Sequence, residues 1–558
     1  MEKIRKSLRD SSTARWTALA IVAFTMLCGY FLTDVMSPLK PMLESQLLWD
    51  SNDYGIFTSA YGWFNVFLFM LIIGGIVLDK MGVRFTGVAA TSVMIIGAGL
   101  KYYAVSSTFP ADAFIFGIKM QVALAALGYA IFGVGVEIAG ITVSRIIVKW
   151  FKGKEMALAM GLEMATARMG TLLATAIPLP IAHYFGDVSK PILFALILLV
   201  IGLIAFIVYT FMDRRLDAEN AESDAIVDEE PFKLSDILLI VKNKGFWLIS
   251  ILCVLFYSAV FPWIKFATDI VINKYQVDPD IAGLIPSVLP LGTLFLTPFF
   301  GNLYDRKGKG ATIMVIGSIM LIGIHGIFSI PFLTNWIVAL VVTVFLGIAL
   351  SLVPSAMWPS VPKIIPEKQL GTAYALTFWI QNWGLMGVPL LIGYVLSVTN
   401  PSVPPAKEAV KAAVTNTYSV VLENNKSIVL NKVELGKTIE KTTTFLINKI
   451  LVNSKYEGDV NGNLPAVKME LEAAALKNIN SLNLNGVGQE KALEEIQKTF
   501  VNSTYSILVD KRINLRYNYN TANVIFTFFG VLAFIVALML KAEDKKKGYG
   551  LELPNIKK

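Results

Sequence analysis

Twelve stretches of about 20 mostly apolar residues follow one another along the chain, the length an α-helix needs to cross the hydrocarbon core of a bilayer. The predicted spans are 16–38, 54–78, 85–106, 118–149, 155–184 and 189–212, then 246–273, 281–300, 311–331, 336–361, 369–396 and 519–540. A backbone in lipid must satisfy its own N–H and C=O groups, so such spans fold as helices. Composition agrees: of 558 residues only 16% are charged, against about 25% in an average soluble domain. Too little polar surface is available to cover a soluble enzyme, and a disordered chain or a disulfide scaffold is excluded too. The expected fold is an all-α integral membrane protein with twelve helices.

The charges are placed, not merely abundant. Loops bearing Lys80 and Arg84, Lys152 and Lys154, Arg306, Lys307 and Lys309, and Lys363 and Lys368 alternate with nearly uncharged ones. Both tails are basic and fall on the same face, which the charge rule makes cytoplasmic. The net charge of +8 is thereby explained without nucleic acid. The N-terminus has no small-residue cleavage site before its apolar run, so the first helix is expected to be retained. Trp16, Trp150, Trp247 and Trp336 stand at span ends, where aromatic rings anchor helices at the interface. Cys28 and Cys253 lie inside apolar runs, and His183 and His325 lack metal-ligand spacing, so all four are expected to be structural.

The chain divides six and six. Residues 1–212 form one half, an acidic stretch at 213–245 reads as a cytoplasmic linker, and 246–397 carry helices 7–11. The loop after helix 2, GIVLDKMGVR, and the loop after helix 8, GNLYDRKGKG, share G-x-x-x-D-[KR]-x-G at equivalent places. Residues 398–517 break the pattern. Apolar residues at helical spacing, as in VELGKTIEKTTTFLINKIL, predict several amphipathic helices forming an extracytoplasmic insertion between helices 11 and 12. Helix 12 and a basic cytoplasmic tail occupy 518–558.

Two charges lie deep in spans, where an ionisable residue is a functional candidate. Glu137 precedes Lys149 by twelve residues and Arg168 follows Lys154 by fourteen. At 1.5 Å per residue they sit about 18 and 21 Å from the cytoplasmic helix ends, at nearly one depth. Two readings fit. The pair could lock helices 4 and 5 together, or Glu137 could take a ligand ammonium and Arg168 a carboxylate.

The duplicated loop and the 6+6 layout resemble the major facilitator superfamily. That resemblance implies transport by alternating access, with Asp79, Arg84, Asp305 and Arg306 tying helices on the cytoplasmic side as part of the gating apparatus. The run GVGVEIAGITVSRIIVKWFKGKEMALAMGLEMATARMG is similar to a lysosomal dipeptide-carrier branch of that superfamily, as are FYSAVFPW and MWPSVPKIIPEKQLGTAYALTFWIQNWGL. The likeness covers both membrane halves and not 398–517. It implies a dipeptide uniporter in which Glu137 and Arg168 bind the peptide's two ends. Tyr61, Tyr257, Phe261, Trp358, Gln381 and Asn382 are candidates to complete the cavity, and Asp34 is a candidate outer gate. The rival readings are a proton-coupled carrier of organic anions or sugars, and a receptor-like protein acting through its outer cap. No phosphate loop, metal set or catalytic cluster is evident, so no cofactor and no enzyme activity are expected. A monomer without an evident accessory subunit is expected. The basic tails and the short N-terminus lacking a dileucine signal favour a bacterial cytoplasmic membrane, with a lysosomal membrane as the alternative.

Overall fold

The computed structural model describes residues 8–110, 112–151, 154–220, 234–366, 369–424, 432–447, 449, 464–481, 489–512 and 515–555. Apolar residues on every side of a helix leave it no soluble packing solution. Lys190–Asn220 shows this: Leu199, Phe206 and Tyr209 are buried, while Ile197, Ile201, Ile204, Val208 and Phe211 face outward as a lipid-facing stripe. Among the described residues ten helices are long and apolar enough to cross a membrane.

The remaining predicted spans are broken ones. Helix 2 descends as Ser51–Ser59, a 3-10 turn Ala60–Gly62, Trp63–Phe67 and the start of Met70–Ser106. Helix 5 is Met156–Ala176 followed, at Pro178, by Pro178–Phe185, and it carries Glu163 and Arg168. The two loop motifs turn the chain in the same way. Their last glycines, Gly82 and Gly308, have φ of 73° and 69°, a backbone region glycine enters without steric cost. Helix 3 thus begins inside Met70–Ser106, beyond Gly82.

Within the first half, helix 3 packs tightly on helix 4 through small residues. A Cβ on Gly97 would lie 2.4 Å from the Phe132 nitrogen, and one on Gly128 would lie 2.6 Å from the Lys101 nitrogen. Two seams join the halves, helix 2 against helix 11 and helix 5 against helix 8. At one end of the bundle Gly55 and Gly393 touch backbone to backbone.

At the other end, Asp213 fastens three helices. It has no exposed surface and pairs with Lys149 at 2.8 Å and Arg84 at 3.4 Å. Tyr209 donates to it at 2.9 Å and Trp150 at 3.2 Å. Trp150 therefore serves as a buried donor instead of the interfacial anchor expected from its place in the sequence. Asp213 likewise belongs to the bundle, since helix 6 continues to Asn220. The acidic middle of the predicted linker, 221–233, lies outside the described residues, and a helix at Leu234–Val241 leads into helix 7.

Between helix 11, Leu370–Thr399, and helix 12, Asn520–Lys547, lie helices Val403–Asn424, Lys432–Ile447, Leu464–Ser481 and Gln489–Tyr505, then a π-helical turn Ser506–Arg512. They bury their own core, including Val410, Val414, Tyr418, Ile439, Leu471, Ile496 and Phe500, separate from that of the bundle. This cap is clasped at its base, where Asn518 N–H donates to Asn400 Oδ1 at 2.7 Å.

Gly128→Val is expected to cost about 1–3 kcal/mol through overpacking, whereas Gly99→Ala, with open space around its Cβ, should leave the melting temperature unchanged. Asp213→Ala leaves the buried Tyr209 hydroxyl without its acceptor, while Trp150 keeps the Tyr209 oxygen, and should cost about 1–3 kcal/mol. Asp79→Ala breaks a half-exposed pair with Arg145 and should cost under about 1 kcal/mol. Thermal unfolding of the purified variants in one detergent ranks all four.

Candidate functional site

Helix 2 bends at Ala60–Gly62 and settles on Ala126 and Ala130 of helix 4. Gly133 permits the approach, since a Cβ there would lie 2.3 Å from the Tyr61 carbonyl oxygen. One turn further along helix 4, Glu137 accepts a hydrogen bond from the Tyr61 hydroxyl at 2.8 Å. Both side chains are half-buried at mid-depth.

Arg168 has a different environment. Its guanidinium lies over the Phe261 ring of helix 7, 5.7 Å from the centroid, so a cation of the first half faces an aromatic of the second. Phe261 stacks on Tyr257 at 5.1 Å, and the Tyr257 hydroxyl accepts from Trp358 Nε1 at 3.1 Å. Trp358 stacks in turn on Phe378 at 4.9 Å. Among the described residues no ion pair joins Arg168 to Glu137 or to any other carboxylate within 4.0 Å. The reading in which the two charges simply lock helices 4 and 5 thus has no contact to support it. Glu163, also on helix 5, is a deep carboxylate near Arg168 that sequence reasoning passed over.

The structure brings Arg168, Phe261, Tyr257 and Trp358 together across the halves, and Tyr61 with Glu137 within the first. Gln381 accepts from the Cys253 thiol at 3.6 Å, beside this aromatic group. Asn382 is buried and donates to the Phe378 carbonyl of its own helix at 3.0 Å.

Asp34 meets Lys265 of helix 7 at 2.5 Å, an ion pair between the halves near the cap end. Lys265 also donates to the Tyr129 hydroxyl at 3.0 Å and the Thr33 carbonyl at 2.9 Å. The Tyr54 hydroxyl donates to the Lys265 carbonyl at 2.7 Å. Closer to the cap, Lys40 pairs with Asp269 of helix 7 at 2.7 Å, and His183 contacts Asp280 across the same divide. His183 is thus a cross-half contact and not merely a packing residue. Lys265 and Asp269 lie inside a predicted span, so the rule that singled out Glu137 could have found them.

The loop-motif residues behave otherwise. Asp79 pairs with Arg145 of helix 4, and Arg84 with Asp213 and Asp217 of helix 6, so both ties stay inside the first half. Asp79 is therefore not the partner of Arg84. Asp305 accepts from Asn555 of the C-terminal tail at 2.7 Å, and Arg306 is exposed. Among the described residues, ion pairs between the halves occur at the cap end and none at the tail end.

Comparison with known proteins follows the same lines. The description of the Major Facilitator Superfamily matches residues 19–389. The lysosomal dipeptide transporter MFSD1 of Danio rerio is 29% identical over 377 residues, covering 64% of this chain and 76% of that protein. The Homo sapiens protein of the same name is 26% identical over 396 residues, covering 68% and 80%. A bacterial homologue of the human lysosomal transporter Spinster, solved inward-facing and unoccupied, superposes with a TM-score of 0.55 at 13% identity over 95% of this chain and 99% of that one. The D-xylose-proton symporter gives 0.52 at 15% identity over 68% and 89%. A twelve-helix bundle of two halves, charges deep in its spans and a family match across two-thirds of the length lead to one conclusion: the chain belongs to the Major Facilitator Superfamily and is a multi-pass integral membrane transporter.

Proposed function

We propose that this transporter carries small zwitterions, dipeptides foremost, by facilitated movement down their gradient. The observation that carries the reading is the separation of the two deep charges. Glu137 is engaged by a neutral hydroxyl and Arg168 by a ring face, so each keeps capacity for a ligand charge. A buried carboxylate and guanidinium that neutralised each other would offer a substrate nothing. A dipeptide ammonium displaces the Tyr61 hydroxyl at Glu137, and its carboxylate takes the two-pronged hydrogen bonds of Arg168. The aromatic group of Phe261, Tyr257 and Trp358 then lies against the peptide side chains. The relatives named dipeptide transporters support the cargo class.

The proposed working unit is a single chain in the bilayer, its six-helix halves rocking about the two seams. The basic loops put both termini in the cytoplasm and the cap on the opposite side. The lysosomal relatives agree with a lysosomal-type membrane, the alternative drawn from the sequence. Neither a proton nor a nucleotide is assigned a part in the cycle.

Glu137→Gln and Arg168→Ala are each expected to abolish dipeptide uptake into proteoliposomes while leaving a folded protein. Acetylating the peptide amine or amidating its carboxylate should weaken binding by about 1.5–3 kcal/mol each, the worth of a hydrogen bond to a charged group. Normal transport of doubly blocked peptides would contradict the site. Uptake should equilibrate and not concentrate when a pH gradient is imposed; accumulation would assign the protein to the proton-coupled carriers instead.

A further inference from the structure

The cap is joined to the second half in sequence, yet its polar side chains reach the first. Helix Lys40–Leu47 extends helix 1 at the cap end. There Glu44 accepts from Lys40 at 2.8 Å and from Lys407 of the cap at 2.7 Å. Lys40 holds Asp269 of helix 7 at 2.7 Å. The Tyr517 ring stands between the two cations, 4.4 Å from Lys40 Nζ and 4.8 Å from Lys407 Nζ. Asn273 donates to Asp269 Oδ1 and accepts from the Tyr517 N–H, each at 2.8 Å, and Tyr519 hydrogen-bonds Asp269 as well. Lys40, Glu44 and Asp269 are buried, and the Lys407 side chain is 12% exposed.

We infer that the insertion is a moving part of the gate: Lys407 supplies the second cation of a four-charge cluster, and the cap holds the cap-side mouth shut by gripping the first half. Two more contacts follow the same line. Lys411 donates to the Gln46 carbonyl at 3.1 Å, and Lys498 approaches Asp187 at 3.9 Å. These three lysines of the cap thus end on the first half, while the Asn400–Asn518 clasp and the Asn273–Tyr517 bond keep the cap on the second. Alternating access separates the halves at this end, so these contacts belong to one state of the cycle. A contact made in only one state biases the equilibrium toward it.

The charge balance shows how the cluster can open. Two cations and two anions cancel while it is closed. When the halves part, Lys40 and Glu44 leave together, four residues apart on one helix. Asp269 and Lys407 remain with the second half, on the same side as Tyr517. Each body takes away one charge of each sign, so Asp269, parted from Lys40, keeps a cation on its own body in Lys407, which stands by the same Tyr517 ring.

The inference rests on alternating access and not on the cargo, so its test needs no substrate. In a background with Cys28→Ser and Cys253→Ser, a reporter is placed by Ser37→Cys. Ser37 is buried in the turn that packs on helix 7 beside this cluster. Its rate of labelling by a water-soluble maleimide is followed in purified protein. Lys407→Ala and replacement of 400–515 by a short Gly/Ser linker should each speed labelling by about five-fold or more, as expected for losing a pair worth about 1 kcal/mol. Lys407→Arg should restore the slow rate. Should Lys407→Ala fail to fold, Lys498→Ala, with a largely exposed side chain, applies the same test with a smaller gain. Labelling that is unchanged or slower in both Lys407→Ala and the linker variant overturns the inference.

Discussion

Lys40 has no exposed surface, and two carboxylates neutralise it: one from its own helix and one from the opposite half. Removing an ammonium from water costs several kcal/mol unless close anions and hydrogen bonds repay it. Here Asp269 can do so only while the halves touch. Opening the cap-side mouth therefore means admitting water to Lys40 and Asp269 together. The Asp34–Lys265 pair obeys the same constraint about one turn deeper. Closure on this side is thus a dry electrostatic lock, and the glycine contact at Gly55 and Gly393 brings the backbones near enough to form it.

The lock is physically continuous with the proposed site. Glu137 holds Tyr61, whose ring packs 5.5 Å from that of Tyr129. Tyr129 accepts from Lys265, and Lys265 pairs with Asp34. On the proposed reading, a substrate ammonium competes with Tyr61 for Glu137. Any shift of Tyr61 is then felt by Tyr129 and by the cation that joins the halves. Spatial continuity alone does not establish coupling; what does is an element with two arrangements that both sites bias. Lys265 is where such an element would lie, because its side-chain partners are all on the half from which alternating access would part it.

Much of this architecture was legible in the sequence, for identifiable reasons. Lipid imposes a length on each helix, so the spans stand out as apolar blocks. The repeated motif marks two loops, and its final glycines do turn the chain. Glu137 and Arg168 are conspicuous because charge in a span is rare. What the sequence hid was pairing. Lys40 and Asp269 are 229 positions apart with no shared motif. Asp213 sits where an apolar run meets an acidic stretch, and only the fold shows that it faces inward to Lys149 and Trp150. Lys265 and Asp269 broke the same rule as Glu137, but they lie toward the outer end of helix 7, where charge is less conspicuous. The cap's amphipathic helices were readable, whereas the direction of its lysines was not.

Two deep cations of the first half show how accessibility separates a structural charge from one that can receive a ligand. Lys101 is fully buried; it donates to the Leu32 carbonyl at 3.0 Å and lies 4.9 and 5.2 Å from the rings of Tyr129 and Phe132. A carbonyl oxygen and two ring faces enclose it, leaving no approach for a ligand. Arg168 also lies over a ring, but it is half-buried and forms no ion pair among the described residues, the nearby Glu163 carboxylate not closing one. A guanidinium is always charged and presents five donors in a planar fork, of which a ring face satisfies none. On the proposed reading, that unspent hydrogen-bonding capacity is what a substrate carboxylate takes up.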